Sequence, residues 1–215
     1  MKRYLPLIIL LVVGVLAGVG VRACSNRTSS NSLAADGTGE PAASAGAPAA
    51  PFADCRALTS APPEASGAAA AAATDIALPT AELSCFGGGK LRLADVRGPA
   101  VINLWGSWCP PCREELPSVN AVAQRTAGLV HFLGVNTRDS RSDGEAMTSE
   151  FGLSFANVFD QGEQVRVALK QPGLPVTLFV DSAGKVVHLY NGTALDEARL
   201  ADLVKRQLGV AVPVG

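Results

Sequence analysis

The feature that most constrains this chain is an apolar run that ends just before two closely spaced cysteines. The run is Ala100-Val101-Ile102-Asn103-Leu104-Trp105, and Trp108-Cys109-Pro110-Pro111-Cys112 follows it. This pattern predicts a buried strand that delivers both cysteines to the start of a helix. At a helix start, backbone N–H groups and the positive end of the helix dipole stabilise the thiolate of Cys109. A thiol of this kind, with a second cysteine close by, is suited to disulfide exchange.

The same CxxC spacing also occurs in zinc sites and in inert structural bridges. Zinc needs about four ligands, which come as a rule from a second CxxC or a close pair of histidines. The other candidate ligands here are isolated along the chain: Cys24, Cys55, Cys85, His131 and His188. The sequence therefore predicts no metal site. A redox-active pair is favoured over an inert bridge, because a Trp precedes the motif and prolines lie inside it.

The N-terminus has the pattern of a targeting segment. Lys2 and Arg3 precede an apolar run from Leu5 to Val21, which is typical of a secretory signal or an uncleaved membrane anchor. In either case the positive end stays inside and the rest of the chain is exported. We therefore expect residues 1–24 to be a signal peptide or anchor. The remainder is expected to lie on the extracytoplasmic side of the membrane, in the cell envelope, where disulfides persist.

Cys24 lies just beyond this apolar run and follows Ala23. A small residue before such a cysteine resembles the processing box of bacterial lipoproteins, which makes Cys24 a candidate for lipidation. Arg22 departs from that pattern, because a small or apolar residue is usual there. Two alternatives stay open: a lipid anchor at Cys24, or an incidental thiol on an anchored stalk.

Composition separates a tether from a folded domain. Residues 25–74 are rich in Ala, Gly, Ser and Pro and have almost no large apolar side chains, which predicts a flexible tether. A formal net charge of −1 offers no basic surface for nucleic acid. Residues 75–212 are long enough for one folded domain.

Hydrophobic patterning over residues 75–212 predicts strands that alternate with helices. The predicted strands are 76–86, 91–93, 101–105, 129–135, 157–159, 176–180 and 185–190, with an N-terminal β-hairpin around Gly87-Gly88-Gly89. The predicted helices follow Cys112 and cover 142–151, 164–169 and about 195–208, the last starting at Thr193 and Asp196 and stopping at Gly209. This alternation predicts an α/β domain with a mixed central sheet flanked by helices.

Three segments make the domain resemble the thioredoxin superfamily, and within it the membrane-tethered TlpA/ResA-type proteins. They are 103–112, Pro117 five positions beyond Cys112, and Gly173-Leu174-Pro175-Val176-Thr177. The resemblance covers roughly residues 75–209 and implies a thioredoxin-like fold with an extra helix-containing segment, here 142–160. It also implies extracytoplasmic thiol–disulfide exchange, often to reduce apocytochrome c before haem attachment. No cofactor is predicted.

The two cysteines are predicted to have different roles. Cys109 attacks, or is attacked in, a mixed disulfide, and Cys112 resolves it from one turn further into the helix. The resemblance matches Glu115 to an acid that TlpA-like proteins carry just past the second cysteine. There it is near enough to exchange protons with the active site. The alternative for Glu115 is a solvated helix acid, like the neighbouring Glu114.

Three further residues are expected to contact a client protein. The resemblance implies a cis peptide bond before Pro175. It also places the Leu174 backbone beside Cys109, where an extended client chain can pair with it. Trp108 is expected to line the site, whereas Trp105, on the apolar strand, is expected in the core.

Cys55 and Cys85 are predicted to form a structural disulfide. An exported chain with five cysteines has three left after the CxxC pair, and Cys24 belongs at the membrane boundary. An unpaired Cys55 in a tether would be exposed to oxidation. The alternatives are that Cys55 pairs with nothing, or that it joins two copies of the chain.

These residues bear on four candidate functions. A reductase and a disulfide-donating oxidase need the same site, and the redox potential separates them. A thiol peroxidase needs an activating Thr-containing loop around its cysteine, and a copper chaperone on this fold uses CxxxC with a His. Neither pattern surrounds Cys109. The expected partners are cysteine-containing client proteins and a membrane thiol–disulfide electron donor or acceptor.

Overall fold

The computed structural model describes residues 52–65 and 70–214. The predictions for the signal or anchor at 1–24, for Cys24 and for the first part of the tether lie outside these residues. Within the described ranges, no helix has both the length and the apolar character that crossing a membrane requires.

A seven-stranded mixed sheet forms the centre of the domain, with strand order β2-β1-β5-β4-β3-β6-β7. The strands are β1 Glu82–Cys85, β2 Lys90–Arg92, β3 Ala100–Trp105, β4 His131–Thr137, β5 Ala156–Asp160, β6 Val176–Val180 and β7 Val186–Tyr190. The helices are α1 Pro110–Arg125, α2 Arg141–Glu150, α3 Gln164–Ala168 and α4 Glu197–Leu208. β3 pairs in parallel with β4, and β4 with β5, while the remaining pairs are antiparallel. The predicted mixed α/β architecture is confirmed.

The central strand β3 is covered on both faces, since all six of its residues are buried. Alternate side chains of a strand point to opposite faces. Val101 and Trp105 pack with side chains from α1, α2 and α4. Ile102 and Leu104 pack with α3 and the N-terminal strands. Because β3 leads directly to the cysteines, this double burial gives the active site a rigid support.

Most element boundaries lie within two residues of the sequence prediction, and the largest difference is at the start of β1. β1 begins at Glu82 rather than at residue 76, because its pairing with β2 starts only there, between Glu82 and Arg92. α4 begins at Glu197 rather than near 195, because the Asp196 side chain accepts a hydrogen bond from the Arg199 N–H at 2.8 Å and caps the helix. α4 ends at Leu208 and is capped by Gly209, with φ 71°, as the sequence predicted.

Residues 52–65, which we call the N-terminal strap, pack against the domain. They fall within the range assigned to the flexible tether, yet Cys55 and Leu58 are buried. The Leu58 carbonyl accepts a hydrogen bond from the Arg97 N–H at 2.9 Å. Further along the strap, the Glu64 N–H donates to the Gly128 carbonyl at 2.9 Å. Composition missed this packing because only a few apolar side chains anchor the strap.

The outer strands of the sheet are β2 and β7. β2 is three residues long, with Leu91 buried between two exposed side chains. Beside β7, the Val186 carbonyl accepts hydrogen bonds from both the N–H and the hydroxyl of Thr74, each at 2.8 Å. One edge strand, β2, is therefore short, and the other, β7, is partly hydrogen-bonded to Thr74.

Candidate active site

The two active-site cysteines lie at the start of α1, as the sequence predicted. The Cys109 N–H donates to the Gly106 carbonyl at 3.1 Å, which closes a turn between β3 and the helix. Cys109 is the N-cap, and Pro110 and Pro111 occupy the first helical positions, where a missing N–H costs nothing. Cys109 and Cys112 are joined in a disulfide with an S–S distance of 2.03 Å.

Local geometry favours Cys109 as the sulfur that exchanges. The Cys112 N–H donates to Cys109 Sγ at 3.3 Å. Because the two prolines have no N–H, Cys112 supplies the first donor of the helix. The first turn of α1 carries no acidic residue that would oppose a thiolate. Cys109 is 3% exposed and Cys112 is fully buried, so an incoming sulfur reaches Cys109 first.

Glu115 is buried within the domain, one helical turn beyond Cys112. Its Oε1 accepts a hydrogen bond from Asn103 Nδ2 at 2.7 Å, and its Oε2 accepts one from the Leu195 N–H at 3.0 Å. Burial raises the pKa of the Glu115 carboxyl, and these two hydrogen bonds partly oppose the rise. The surroundings of Glu115 therefore differ from those of Glu114, which is exposed.

Asn103 extends this buried network across the sheet. Its Nδ2 also donates to Thr177 Oγ1, on β6, at 3.2 Å. Its Oδ1 has no hydrogen-bond partner within the described residues. The family resemblance pointed to Glu115, whereas the parts that Thr177 and Leu195 play in this network were missed. Those partners lie 74 and 80 positions away along the chain, and no local pattern indicates them.

The residues assigned to client contact lie around the turn that precedes Cys109. Trp108 is 50% exposed, although large hydrophobic side chains are usually buried. Pro175 is buried, Leu174 is half-buried, and the peptide bond between them is cis. β6 runs antiparallel to β3 and pairs Val176 with Leu104, which brings the 174–175 bond to the end of β3.

Trp105 lies in the core, as its place on the apolar strand predicted. It is fully buried, and its indole Nε1 donates to Asn157 Oδ1 at 3.1 Å. The two tryptophans near the site therefore have different surroundings: Trp105 supports the sheet, and Trp108 faces solvent.

The loop between β4 and α2, residues 138–140, also contacts the site. The indole Nε1 of Trp108 donates to the Arg138 carbonyl at 2.9 Å, and the Arg138 guanidinium lies 5.6 Å from the ring centroid. The Asp139 carboxylate accepts hydrogen bonds from the N–H and the hydroxyl of Ser107. Sequence reasoning missed this loop, because an Asp and a Ser before a helix are also typical of an ordinary cap.

A second disulfide joins Cys55 in the strap to Cys85 at the end of β1. The two Cα atoms are 6.2 Å apart, and 30 positions separate the residues along the chain. Both cysteines are buried, and they pack in the cluster that includes Ile102 and Leu104. Within the described residues, no group of three or more His, Cys, Asp or Glu side chains could hold a metal ion.

Comparisons with known proteins agree with this fold and site. Residues 70–189 match the model of the AhpC/TSA family. The thiol–disulfide oxidoreductase ResA of Geobacillus thermodenitrificans is 37% identical over 119 residues, which make up 54% of this chain and 67% of that protein. ResA of Bacillus subtilis is 32% identical over 108 residues, or 49% of this chain and 60% of that protein. The chain thus spans about three fifths to two thirds of the length of these curated relatives.

Solved structures show the same fold. A secreted disulfide oxidoreductase of Mycobacterium tuberculosis, homologous to Escherichia coli DsbE, aligns with a TM-score of 0.54 and 26% identity. That alignment covers 58% of this chain and 94% of the other. A thio-disulfide isomerase from Thermus thermophilus aligns with a TM-score of 0.50 and 32% identity, covering 60% and 92% of the two chains.

A thioredoxin-like sheet that presents a CxxC pair at a helix start defines a thiol–disulfide oxidoreductase. The family model matches more than half of the sequence, and the chain belongs to the AhpC/TSA family. Within that family its relatives are proteins of the ResA and DsbE type. The predicted fold and enzyme class are confirmed.

Proposed function

We propose that this protein is an extracytoplasmic, membrane-tethered reductase of cysteine pairs in client proteins such as apocytochrome c. One observation carries the proposal. The Cys109–Cys112 disulfide lies at the start of α1, with the exposed Trp108 beside it and the buried Glu115 one turn further on. The resemblance to ResA-type proteins supports the direction of the reaction and the class of client.

In the proposed reaction, two electrons pass from the dithiol to the client. The Cys109 thiolate attacks one sulfur of a client disulfide, so that a mixed disulfide forms and the other client sulfur leaves as a thiolate. Cys112 then loses its proton and attacks Cys109 Sγ. This step forms the Cys109–Cys112 bond and releases the second client thiolate. A membrane thiol–disulfide partner returns the pair to the dithiol.

We assign to Glu115 the role of accepting the proton that Cys112 loses. A buried carboxyl with a raised pKa takes up a proton more readily than a solvated one. It lies on the same helix as Cys112, three residues further on. Its hydrogen bonds from Asn103 and Leu195 hold the carboxylate in place without a cationic partner.

The redox potential of the Cys109–Cys112 pair tests the direction. Equilibration of the purified protein with glutathione buffers is expected to give a value near that of thioredoxin, about −270 mV. A value of about −120 mV would instead identify the disulfide-donating oxidase, which uses the same residues.

A trapping experiment tests the class of client. The Cys112→Ser variant is mixed with a peptide that carries an oxidised C-x-x-C-H segment, and it is expected to accumulate a mixed disulfide through Cys109. A control peptide with both cysteines replaced by serine should give none. Failure to trap the oxidised peptide would contradict the apocytochrome assignment.

The proposed location rests on the apolar segment at 5–21 and on the similarity to a secreted disulfide oxidoreductase of Mycobacterium tuberculosis. Membrane fractionation of cells that produce the full chain is expected to place it with the membranes. If Cys24 is lipidated, Cys24→Ala should release the protein or leave an unprocessed precursor. If residues 5–21 are an uncleaved anchor, that change should have no effect. A wild-type protein that is cleaved, soluble and unlipidated would contradict the tether.

A further inference from the structure

The turn that presents Cys109 is held at both of its central residues by a single neighbouring loop. The turn runs from Gly106 to Cys109, and its centre is Ser107 and Trp108. Trp108 is bound through its indole N–H to the Arg138 carbonyl. Ser107 donates hydrogen bonds to the carboxylate of Asp139, which follows Arg138 in that loop.

Asp139 accepts four hydrogen bonds with its two carboxylate oxygens. Oδ2 accepts from the Ser107 N–H at 2.6 Å and from Asn136 Nδ2 at 2.8 Å. Oδ1 accepts from Ser107 Oγ at 2.7 Å and from the Ser140 N–H at 3.0 Å. The side chain is buried, with 8% of its residue exposed. Two of the four bonds go to Ser107, so the carboxylate fixes both the backbone and the side chain of that residue.

We propose that Asp139 is a positioning residue of the redox site. It holds the turn 106–109 so that the Cys109 sulfur stays over the start of α1 when the disulfide is open. In the oxidised protein the covalent bond to Cys112 holds this sulfur, whereas in the dithiol the turn and the helix start must do so. This inference rests on the thiol–disulfide exchange of the proposed function, but not on its direction.

Positioning matters here because the Cys109 thiolate depends on a fixed donor. The Cys112 N–H lies 3.3 Å from Cys109 Sγ, and the strength of such a contact falls quickly as its distance and angle change. Functional groups of this kind need neighbours that fix them to within about 0.5 Å. Asp139 supplies that support from outside α1, since it anchors the turn to the end of β4.

The negative charge of Asp139, taken alone, would lower the thiolate fraction of Cys109, whereas its positioning role would raise that fraction. A negative charge near a thiolate disfavours it, so removal of that charge would increase the thiolate fraction. Loss of positioning would decrease the thiolate fraction instead. The direction of the change therefore separates the two roles of the carboxylate.

The test uses the full chain in its reduced state. The rate at which iodoacetamide alkylates Cys109 is followed against pH by peptide mapping. Asp139→Asn leaves an amide group that cannot accept from all four donors. We expect the midpoint of the alkylation profile to move to higher pH by about half a unit, which is roughly a threefold fall in rate below the midpoint. The potential against glutathione should become more negative, because the dithiol state loses stabilisation.

Asp143→Asn is the matched control. Asp143 is an exposed acid in the first turn of α2, and its carboxylate accepts from Ser140 Oγ rather than from the turn. It should leave both the alkylation midpoint and the potential unchanged. Ser107→Ala, which removes one of the two bonds from Ser107, should give a smaller shift in the same direction as Asp139→Asn. The double variant should shift no more than Asp139→Asn alone, because both changes break the same contact.

Three outcomes would overturn the proposal. They are an unchanged midpoint in Asp139→Asn with only a lower melting temperature, a midpoint that moves to lower pH, and an equal shift in Asp143→Asn. If Asp139→Asn fails to fold, Ser107→Ala decides by the same criterion. Alkylation needs no client, so a protein that fails to reduce client peptides still gives a valid answer here.

Discussion

The two disulfides within the described residues are almost equally buried, and they differ in their surroundings. Cys109–Cys112 joins residues three positions apart at a helix start, beside an exposed Trp108. Cys55–Cys85 joins residues 30 positions apart and fastens the N-terminal strap to β1. The first bond lies where a thiolate is stabilised, whereas the second closes a long loop within the core.

This comparison shows that burial alone does not separate a reactive disulfide from a structural one. The exposed fraction is 3% for Cys109 and 1% for Cys55. What differs is the set of backbone donors near the sulfur and the length of chain that the bond closes. Substitutions at each cysteine pair and in its surroundings separate these two differences.

The largest effect is expected from loss of the reactive sulfur. Cys109→Ser should abolish exchange with client disulfides, and Cys112→Ser should accumulate mixed disulfides because the resolving thiol is missing. The Cys55→Ala/Cys85→Ala variant is the control, and it should retain exchange. Gel analysis under non-reducing conditions measures all three. Mixed disulfides that form through Cys55 or Cys85 would show that the two roles are reversed.

Loss of the strap disulfide should mainly reduce stability. Closing a loop of this length is worth roughly 3.5–4 kcal/mol in the chain-entropy model. The Cys55→Ala/Cys85→Ala variant should therefore melt about 10 °C below the oxidised wild-type protein. Cys109→Ser/Cys112→Ser should lose less, because its loop is short. Equal losses in the two double variants would argue against loop length as the cause.

Glu115→Gln should change how stability depends on pH. The folded protein raises the pKa of the Glu115 carboxyl, so between the ordinary value and the folded value the native state binds more protons than the unfolded state. The Glu115 carboxyl therefore makes wild-type stability fall as pH rises through this window. The variant lacks this contribution, so its free energy of unfolding should improve relative to wild type as pH rises.

Denaturant unfolding of both proteins at a series of pH values measures this difference. Glu114→Gln is the control, because Glu114 is the neighbouring exposed acid. At low pH, Glu115→Gln is expected to be less stable than wild type by about 1–3 kcal/mol, since in either orientation the amide NH2 group faces a donor, the Leu195 N–H or Asn103 Nδ2. A difference that stays constant with pH would contradict the raised pKa.

The smallest effect is expected where α2 contacts the strap disulfide. The Arg141 guanidinium donates to the Cys85 carbonyl at 3.1 Å and lies 5.4 Å from the centroid of the Phe86 ring. Arg141→Ala should lower the free energy of unfolding by about 1 kcal/mol and leave the alkylation rate of Cys109 unchanged. Arg56→Ala, at an exposed pair with Asp54, should change neither. A slower reaction at Cys109 in Arg141→Ala would mean that the two disulfide regions are coupled.

Sequence reasoning worked best where function depends on neighbours along the chain. The apolar run of β3, the CxxC motif and the prolines after Cys109 all act within a dozen residues, so their pattern predicted both the strand and the helix start. The Gly209 end of α4 was predictable for the same reason. The resemblance added the 174–175 peptide bond and Glu115, which local patterns do not indicate.

Contacts between distant residues could not be predicted in this way. The burial of Glu115 depends on Leu195, and the place of the strap depends on how Leu58 packs beneath it. Asp139 belongs to the same group, because its bonds to Ser107 cross from one strand end to the next. In each case tertiary packing decides the role, and the residue type alone is equally suited to the surface.

The outer strands of the sheet have a consequence for self-association. An unprotected edge offers free N–H and C=O groups to a second chain, and such pairing leads to aggregates. β2 presents Lys90 and Arg92 around a single buried residue, and β7 has its Val186 carbonyl occupied by Thr74. Copies of the protein can therefore be crowded together without their sheets pairing edge to edge.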